Sequence, residues 1–247
     1  MQLFYTPDHA RVGDVIPYYE NGEFKLFYLK NWNPYFGSDK TYGWHLLTTK
    51  DLIHYESETA IGILGGTGCI IKVEGLYHLY YCVFEDQPQR QYVCHATSTD
   101  LTNWTKYPDE TFGPDESIYL LTDWRDPHVI WNEEEKCWWM ILCAQNQGNT
   151  KRRGCVGLCK SDDLHHWTCC EPLYAPQSSM SAYECPDLFY MNGWWYLVFS
   201  QFTDRFQTLY RMSRSCNGPW IRPKTDSFDG RAFYAAKTCS DGEHRYI

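Results

Sequence analysis

The apolar positions of this chain fall in short, aromatic-rich runs separated by turn residues, and the runs recur in a fixed order. Phe24 to Leu29, Tyr77 to Val83, Trp138 to Cys143 and Gly193 to Phe199 each read as a buried strand. A second run follows each of them: Trp44 to Thr49, Tyr92 to Ser98, Cys155 to Lys160 and Leu209 to Ser213. In the first three units a further strand pattern precedes the pair, near Val15, Cys69 and Val129. These three units also end in nearly one phrase: Lys50-Asp51-Leu52-Ile53-His54-Tyr55, Thr99-Asp100-Leu101-Thr102-Asn103-Trp104 and Asp162-Asp163-Leu164-His165-His166-Trp167. The phrase predicts a turn that starts a fourth strand, with its aromatic ring packed back on the sheet. Asp51, Asp100 and Asp163 are its structural turn acids. Helical periodicity is nearly absent.

A repeat of roughly 50 to 60 residues with about four strands predicts an all-β propeller, whose blades are meanders set around an axis. A β-sandwich is the alternative, but it does not account for strand order and turn phrase recurring in register. The units fall at approximately residues 10–60, 61–110, 120–172 and 183–222, with a partial fifth at 230–247. The expected architecture is therefore a five-bladed propeller with an incomplete fifth blade, in one domain and with no C-terminal β-sandwich. Met1 to Tyr5 is expected to lend that blade one strand, and the chain reads as a fragment or as a short member of its family.

Composition narrows the function classes. Aromatic residues make up 17% of the 247 residues, including 11 Trp. Such usage suits packed sheets, or a site where rings stack on sugars. The net charge of −9 argues against nucleic-acid or anionic-membrane partners, which need basic surface. No apolar run approaches the ~20 residues of a membrane span, and no leader pattern opens the chain. The 12 cysteines could form an extracellular disulfide scaffold. Several lie inside strand patterns, as Cys82, Cys94, Cys143 and Cys155 do, so free thiols and a cytoplasmic location are expected instead. No CxxC pair occurs, so no metal is expected. His45, His54, His128, His165 and His166 read as surface or cavity-lining residues rather than ligands. The sequence leaves the oligomeric state open.

Three carboxylic acids stand where strands begin. Glu184 lies in Tyr183-Glu184-Cys185-Pro186-Asp187, ahead of Leu188-Phe189-Tyr190. Asp14 lies in Gly13-Asp14-Val15-Ile16-Pro17, and Asp126 in Trp124-Arg125-Asp126-Pro127. A lone acid in such a place is usually a turn residue or a solvated one. Three at equivalent points of three repeats predict a shared site at one end of the propeller. Trp32, Trp44 and Trp124 are candidates for stacking on sugar near its mouth. Trp138, Trp139, Trp194 and Trp195 read as blade packing, and Asp187 as structural.

Arg125-Asp126-Pro127, Glu184-Cys185-Pro186-Asp187 and Phe233-Tyr234-Ala235-Ala236-Lys237-Thr238 resemble the signature segments of the family 32 glycoside hydrolases, the invertase, levanase and inulinase-like enzymes that act on β-fructofuranosides. The resemblance spans nearly the whole chain. It implies a five-bladed propeller with a central funnel, and a retaining, exo-acting hydrolase of small oligosaccharides that needs no cofactor. It assigns the nucleophile to Asp14, the transition-state stabiliser to Asp126 and the general acid/base to Glu184. It adds Arg125, Thr67 and Cys185 to the substrate contacts. The first motif, typically Asn-Asp-Pro-Asn-Gly, keeps only its Asp here. Phe-Tyr-Gln becomes Phe27-Tyr28-Leu29, Trp-Ser-Gly-Ser becomes Gly66-Thr67-Gly68-Cys69, and Trp-Gly-His becomes Trp44-His45-Leu46.

Those roles demand a Glu184 that stays protonated near neutral pH and ionised Asp14 and Asp126. Two alternatives stay open. One is an inverting enzyme resembling family 43, acting on arabinose or xylose polymers with carboxyl groups ~6.5–9.5 Å apart rather than ~5–5.5 Å. The other is a non-catalytic sugar-binding propeller fragment.

Overall fold

The structure is a computed structural model that describes residues 5–8, 10–31, 42–86, 89–148 and 150–247. It is an all-β propeller. Blade 1 comprises β1 (Val12–Glu20), β2 (Glu23–Lys30), β3 (Gly43–Thr49) and β4 (Tyr55–Ala60). Blade 2 comprises β5 (Gly68–Val73), β6 (Leu76–Asp86), β7 (Gln89–Ser98) and β8 (Thr105–Lys106). Blade 3 comprises β9 (Tyr119–Asn132), β10 (Cys137–Asn146), β11 (Gly154–Ser161) and β12 (Thr168–Tyr174). Blade 4 comprises β13 (Tyr183–Met191), β14 (Trp194–Gln201) and β15 (Gln207–Ser213), each strand antiparallel to the next. Single bridges from Leu209 to Ser227 and from Met212 to Ile221 stand where the other blades have a fourth strand. The inner strands follow one another around the axis, β5 against β9 and β9 against β13.

Turn chemistry explains why the strands fold back where they do. In blades 1, 2 and 4 the first hairpin turns on two left-handed residues: Asn21-Gly22 (φ 52° and 79°), Glu74-Gly75 (50° and 86°) and Asn192-Gly193 (52° and 81°). Both residues of a type I′ turn need positive φ, which Asn and Gly adopt at low cost. The phrase between third and fourth strands is a hydroxyl–acid cap repeated three times. Ser98 Oγ accepts from the amides of Asp100 and Leu101, and Asp100 Oδ1 accepts from those of Thr102 and Asn103. Ser161 with Asp163, and Thr49 with Asp51, repeat the pattern. Leu52, Leu101 and Leu164 each take positive φ at its centre. Trp104 Nε1 donates to the Leu101 carbonyl, and its ring packs against the apolar cluster between the sheets of blades 1 and 2, as expected.

The core lies between blades rather than within them. One cluster joins blades 1 and 2 around Phe27, Trp44 and Leu79. A second joins blades 2 and 3 around Tyr80, Trp124 and Met140, and a third joins blades 3 and 4 around Trp139, Leu197 and Phe199. Trp138 and Trp195 pack partly buried against these clusters, and Trp194 stacks under Arg214, 3.5 Å from its ring centre. All 12 cysteines are free thiols, and all but Cys169 and Cys170 are buried. Among the described residues, no helix is long and apolar enough to cross a membrane.

The blade count departs from expectation: among the described residues there are four blades, not five. The expected fifth is a hairpin of two-residue strands, β16 (Cys239–Ser240) and β17 (Arg245–Tyr246). The Phe233 to Lys237 segment forms no strand, because Ala232 and Ala235 take φ of 69° and 59° and break any ladder. The segment instead threads between blades 4 and 1. Asp187 Oδ2 accepts from Thr238 N at 2.7 Å and from Thr238 Oγ1 at 2.8 Å. On the other side Tyr246 meets the Phe24 ring at 4.8 Å. The expected strand at Met1 to Tyr5 falls outside the described residues, apart from Tyr5.

Candidate active site

Asp14, Arg125, Asp126, Glu184, Tyr234 and Lys237 are among the residues that line a cavity of about 1250 Å³. The same local irregularity brings the three acids there. In β1 the pairing steps from Val12–Lys30 to Val15–Tyr28, so Gly13 and Asp14 together oppose Leu29. In β9 it steps from Arg125–Cys143 to His128–Ile141, leaving Asp126 and Pro127 opposite Leu142. In β13 it steps from Glu184–Ser200 to Asp187–Val198, leaving Cys185 and Pro186 opposite Phe199. Each is a β-bulge, which re-aims a side chain and tolerates proline because its residues leave the ladder. Asp126 and Cys185, the first residues of their bulges, share left-handed φ of 57° and 49°. The acids are therefore not at one equivalent position. Asp126 and Asp14 are first and second in their bulges, and Glu184 precedes its own, matching Arg125 in blade 3.

Arg125 is the hub of the site. Its Nη2 lies 2.7 Å from Glu184 Oε1, its Nε lies 3.9 Å from Asp126 Oδ2, and its Nη1 donates to Asp123. Gln91 Oε1 fixes this segment by accepting from the Trp124 amide at 2.9 Å and from Arg125 Nη1 at 3.2 Å. The other oxygen of Glu184 accepts from the Tyr234 hydroxyl. Asp126 Oδ2 accepts from the Cys185 amide at 2.9 Å and lies 3.7 Å from the Cys185 thiol, so the blade 4 bulge holds the blade 3 acid. Below this layer Lys237 Nζ donates to the Pro186 carbonyl at 2.8 Å. Asp187, as expected, is structural. His128, expected at the surface or in the funnel, lies instead with its Nε2 3.3 Å from Asp187 Oδ1. Burial pushes that imidazole down to about 4.

The electrostatics of the acids follow from burial and mutual repulsion. Burial raises the Glu184 carboxyl above its ordinary value, although Arg125 opposes the rise. Asp14 is pushed up to about 7 by burial and then by the Asp126 and Glu184 carboxylates, with Lys237 opposing. The expectation of a plainly ionised Asp14 is thus corrected. The guanidinium of the site pairs with Glu184 and Asp123, and among the described residues Asp14 has no such partner.

The aromatic candidates are redistributed. Trp44 and Trp124 are almost completely buried in the interblade clusters and do not line the cavity, so neither ring is placed to stack on a sugar there. Trp32 falls outside the described residues. Thr67 and Cys185 do line the cavity, and the buried Thr67 Oγ1 has no hydrogen-bond partner among the described residues. The sequence reading missed Tyr234, Lys237, Gln91 and Asp123. The first two lie in the Phe233 to Thr238 segment that carried the resemblance, whereas Gln91 and Asp123 had no signal short of the strand pairing.

Comparison with known proteins identifies the family of the chain. Residues 15–247 match the model of the glycosyl hydrolases family 32 N-terminal domain. The levanbiose-producing levanase of Bacillus subtilis is 27% identical over 258 residues, covering 95% of this chain and 45% of the levanase. The sucrose-6-phosphate hydrolase of Escherichia coli is 30% identical over 174 residues, covering 64% of this chain and 34% of that protein. The solved family 32 β-fructofuranosidase of Bombyx mori in complex with sucrose superposes with a TM-score of 0.71 at 23% identity, over 95% of this chain and 53% of the other. The chain spans about half or less of the length of these relatives. With the family model matched from residue 15 to residue 247, the chain belongs to glycosyl hydrolase family 32, within its N-terminal domain.

Proposed function

We propose that this chain carries the hydrolytic site of a β-fructofuranosidase-like enzyme that cleaves small oligosaccharides with retention of configuration. The observation that carries the reading is the convergence of Asp14, Asp126 and Glu184 on one cavity, with Glu184 gripped by Arg125 and Tyr234. The names of its relatives, a levanase and a sucrose-6-phosphate hydrolase, support a fructosyl substrate.

The roles follow from the environments. Protonated Glu184 gives its proton to the leaving glycosidic oxygen, a role suited to a carboxyl raised by burial. The Asp14 carboxylate attacks the anomeric carbon as that bond breaks, forming an ester to the sugar. Glu184, now ionised, takes a proton from water, which attacks the same carbon and releases Asp14. Arg125 and Tyr234 steady Glu184 through both steps. Asp126, locked by Cys185, accepts hydrogen bonds from ring hydroxyls that strengthen as positive charge develops on the sugar. The free, mostly buried thiols support a working location in a reducing compartment such as the cytoplasm.

The test is hydrolysis of sucrose and short fructans in the presence of methanol. Retention gives methyl β-fructofuranoside. The α-methyl product alone would point to an inverting mechanism. Binding without turnover, by a wild type whose Glu184→Gln variant binds equally well, would leave a sugar-binding propeller.

A further inference from the structure

Away from the candidate active site, blades 2 and 3 share a cluster of histidines around one carboxylate. His95 stands on β7, Glu110 in the Pro108–Glu110 turn after β8, and His165 in the turn after β11. His95 Nδ1 lies 2.6 Å from Glu110 Oε2, and His165 Nδ1 lies 2.8 Å from Glu110 Oε1. One ligand atom from each of the three falls within 4.8 Å of the others. None of them lines the active-site cavity.

We propose that His95, Glu110 and His165 form a binding site for a divalent transition metal of the zinc class, which clamps blade 2 to blade 3. Two imidazole nitrogens and a carboxylate are donors that zinc accepts, and three protein ligands leave one position for water. Four-coordinate zinc holds such donors roughly 3.3 Å apart, so an arriving ion has to spread the His95–Glu110 contact by ~0.7 Å and the His165–Glu110 contact by ~0.5 Å. Glu110 and His165 are partly exposed, at 19% and 36% of their side-chain surface, which leaves a way in from solvent. His95 is the fixed ligand. It is buried and lies between Tyr80, with ring centres 4.5 Å apart and planes within 6°, and Tyr107 at 5.2 Å.

His78 completes the arrangement. Its Nδ1 lies 3.0 Å from His95 Nε2. Without metal, His95 Nδ1–H and His165 Nδ1–H donate to the Glu110 carboxylate, and His95 Nε2 accepts from His78 Nδ1–H. When metal binds His95 Nδ1, that proton moves to Nε2 and is donated to His78 Nδ1, whose own proton moves to its Nε2. His165 likewise shifts its proton to Nε2. Each imidazole stays neutral, and His78 becomes the hydrogen-bond acceptor that orients a metal-bound histidine. Among the described residues, the Asp51–His54, Asp163–His166 and Asp241–His244 pairs, with two donors each, lack this third ligand.

The test uses the full chain, freed of metal by chelation and titrated with Zn²⁺ by calorimetry, with Co²⁺ absorption reporting the coordination. The wild type is expected to take up one strongly bound ion per chain and to melt at a higher temperature when loaded. His165→Ala and Glu110→Gln should each weaken binding by about tenfold or more, and His78→Phe by about tenfold. His166→Ala, next in sequence and fully exposed, should leave binding unchanged. No uptake by the wild type overturns the proposal, as does uptake that survives both His165→Ala and Glu110→Gln. If His165→Ala does not fold, the near-isosteric Glu110→Gln decides alone. Sugar hydrolysis plays no part in the readout, so the outcome is independent of the catalytic assignment.

Discussion

Asp14 shows how much one side chain's surroundings decide. Its carboxyl is buried beside two others, which lifts it to about 7. In the unfolded chain it titrates near 4, so the folded state binds its proton more tightly. The ionised form therefore costs stability: the cost is absent below pH ~4, grows as pH rises towards 7, and is fully present above it, on the order of 2–4 kcal/mol. Asp14→Asn should accordingly raise the melting temperature at pH 8 while abolishing hydrolysis, and should change it little at pH 4. Thermal unfolding at the two pH values checks this; an unchanged melting temperature at pH 8 means that the carboxylate is not under strain. Lys237 opposes the rise at Asp14. Lys237→Met should then move the acidic limb of the kcat/KM profile to higher pH, and a limb that stays put or moves down removes Lys237 from the electrostatics of the site. The tryptophans mark the limit of reading single residues. All seven residues of β3 are buried, so no alternation shows which way Trp44 faces, and Trp124 sits just ahead of the bulge that resets the facing of β9. Both rings read equally well as core or as sugar platform until the strands are paired.

At the scale of elements, the strands and their turns were legible because their causes are local. Aromatic runs and the repeated hydroxyl–acid phrase each act within a few residues. The bulges were not legible, since a bulge exists only relative to the partner strand. Gly13-Asp14, Asp126-Pro127 and Cys185-Pro186 have no common sequence, yet each opposes a single residue across its hairpin. Two glycines separate backbone conformation from packing. At Gly22, φ is +79° and a Cβ would meet nothing within 4 Å. Gly22→Ala should cost about 1–2 kcal/mol, the left-handed penalty alone, and leave kcat/KM unchanged in steady-state assays. At Gly68 a Cβ would fall 1.7 Å from the Tyr80 carbonyl oxygen. Gly68→Ala should therefore disrupt β5 against β6, lowering the denaturant midpoint far more than Gly22→Ala does; equal losses would refute the close approach.

On the scale of the whole molecule, the least legible feature is the path of the segment after blade 4. Resemblance and repeat count suggested a fifth blade, but the left-handed Ala232 and Ala235 turn that segment into a strap. The strap carries Tyr234 to Glu184 and Lys237 beneath the bulge of β13, then docks Arg245 3.8 Å above the Phe189 ring. Its anchor is Asp187, buried with His128 and Thr238. Asp187→Ala removes the acceptor of Thr238 N and Thr238 Oγ1 and should destabilise the protein by about 1–3 kcal/mol, with hydrolysis falling as Tyr234 and Lys237 lose their seat. Chemical denaturation alongside kcat measures both effects; full activity in a destabilised Asp187→Ala would separate the strap from the site.

The central claim is that Asp14 attacks the sugar while Glu184 serves as acid and base. The most direct measurement is mass spectrometry of Glu184→Gln after reaction with β-fructofuranosyl fluoride. The fluoride leaves without protonation, and the variant lacks the base that would hydrolyse the ester. The account predicts one fructosyl adduct on the peptide that contains Asp14. Release of fluoride with no adduct, or an adduct on another residue, would contradict it.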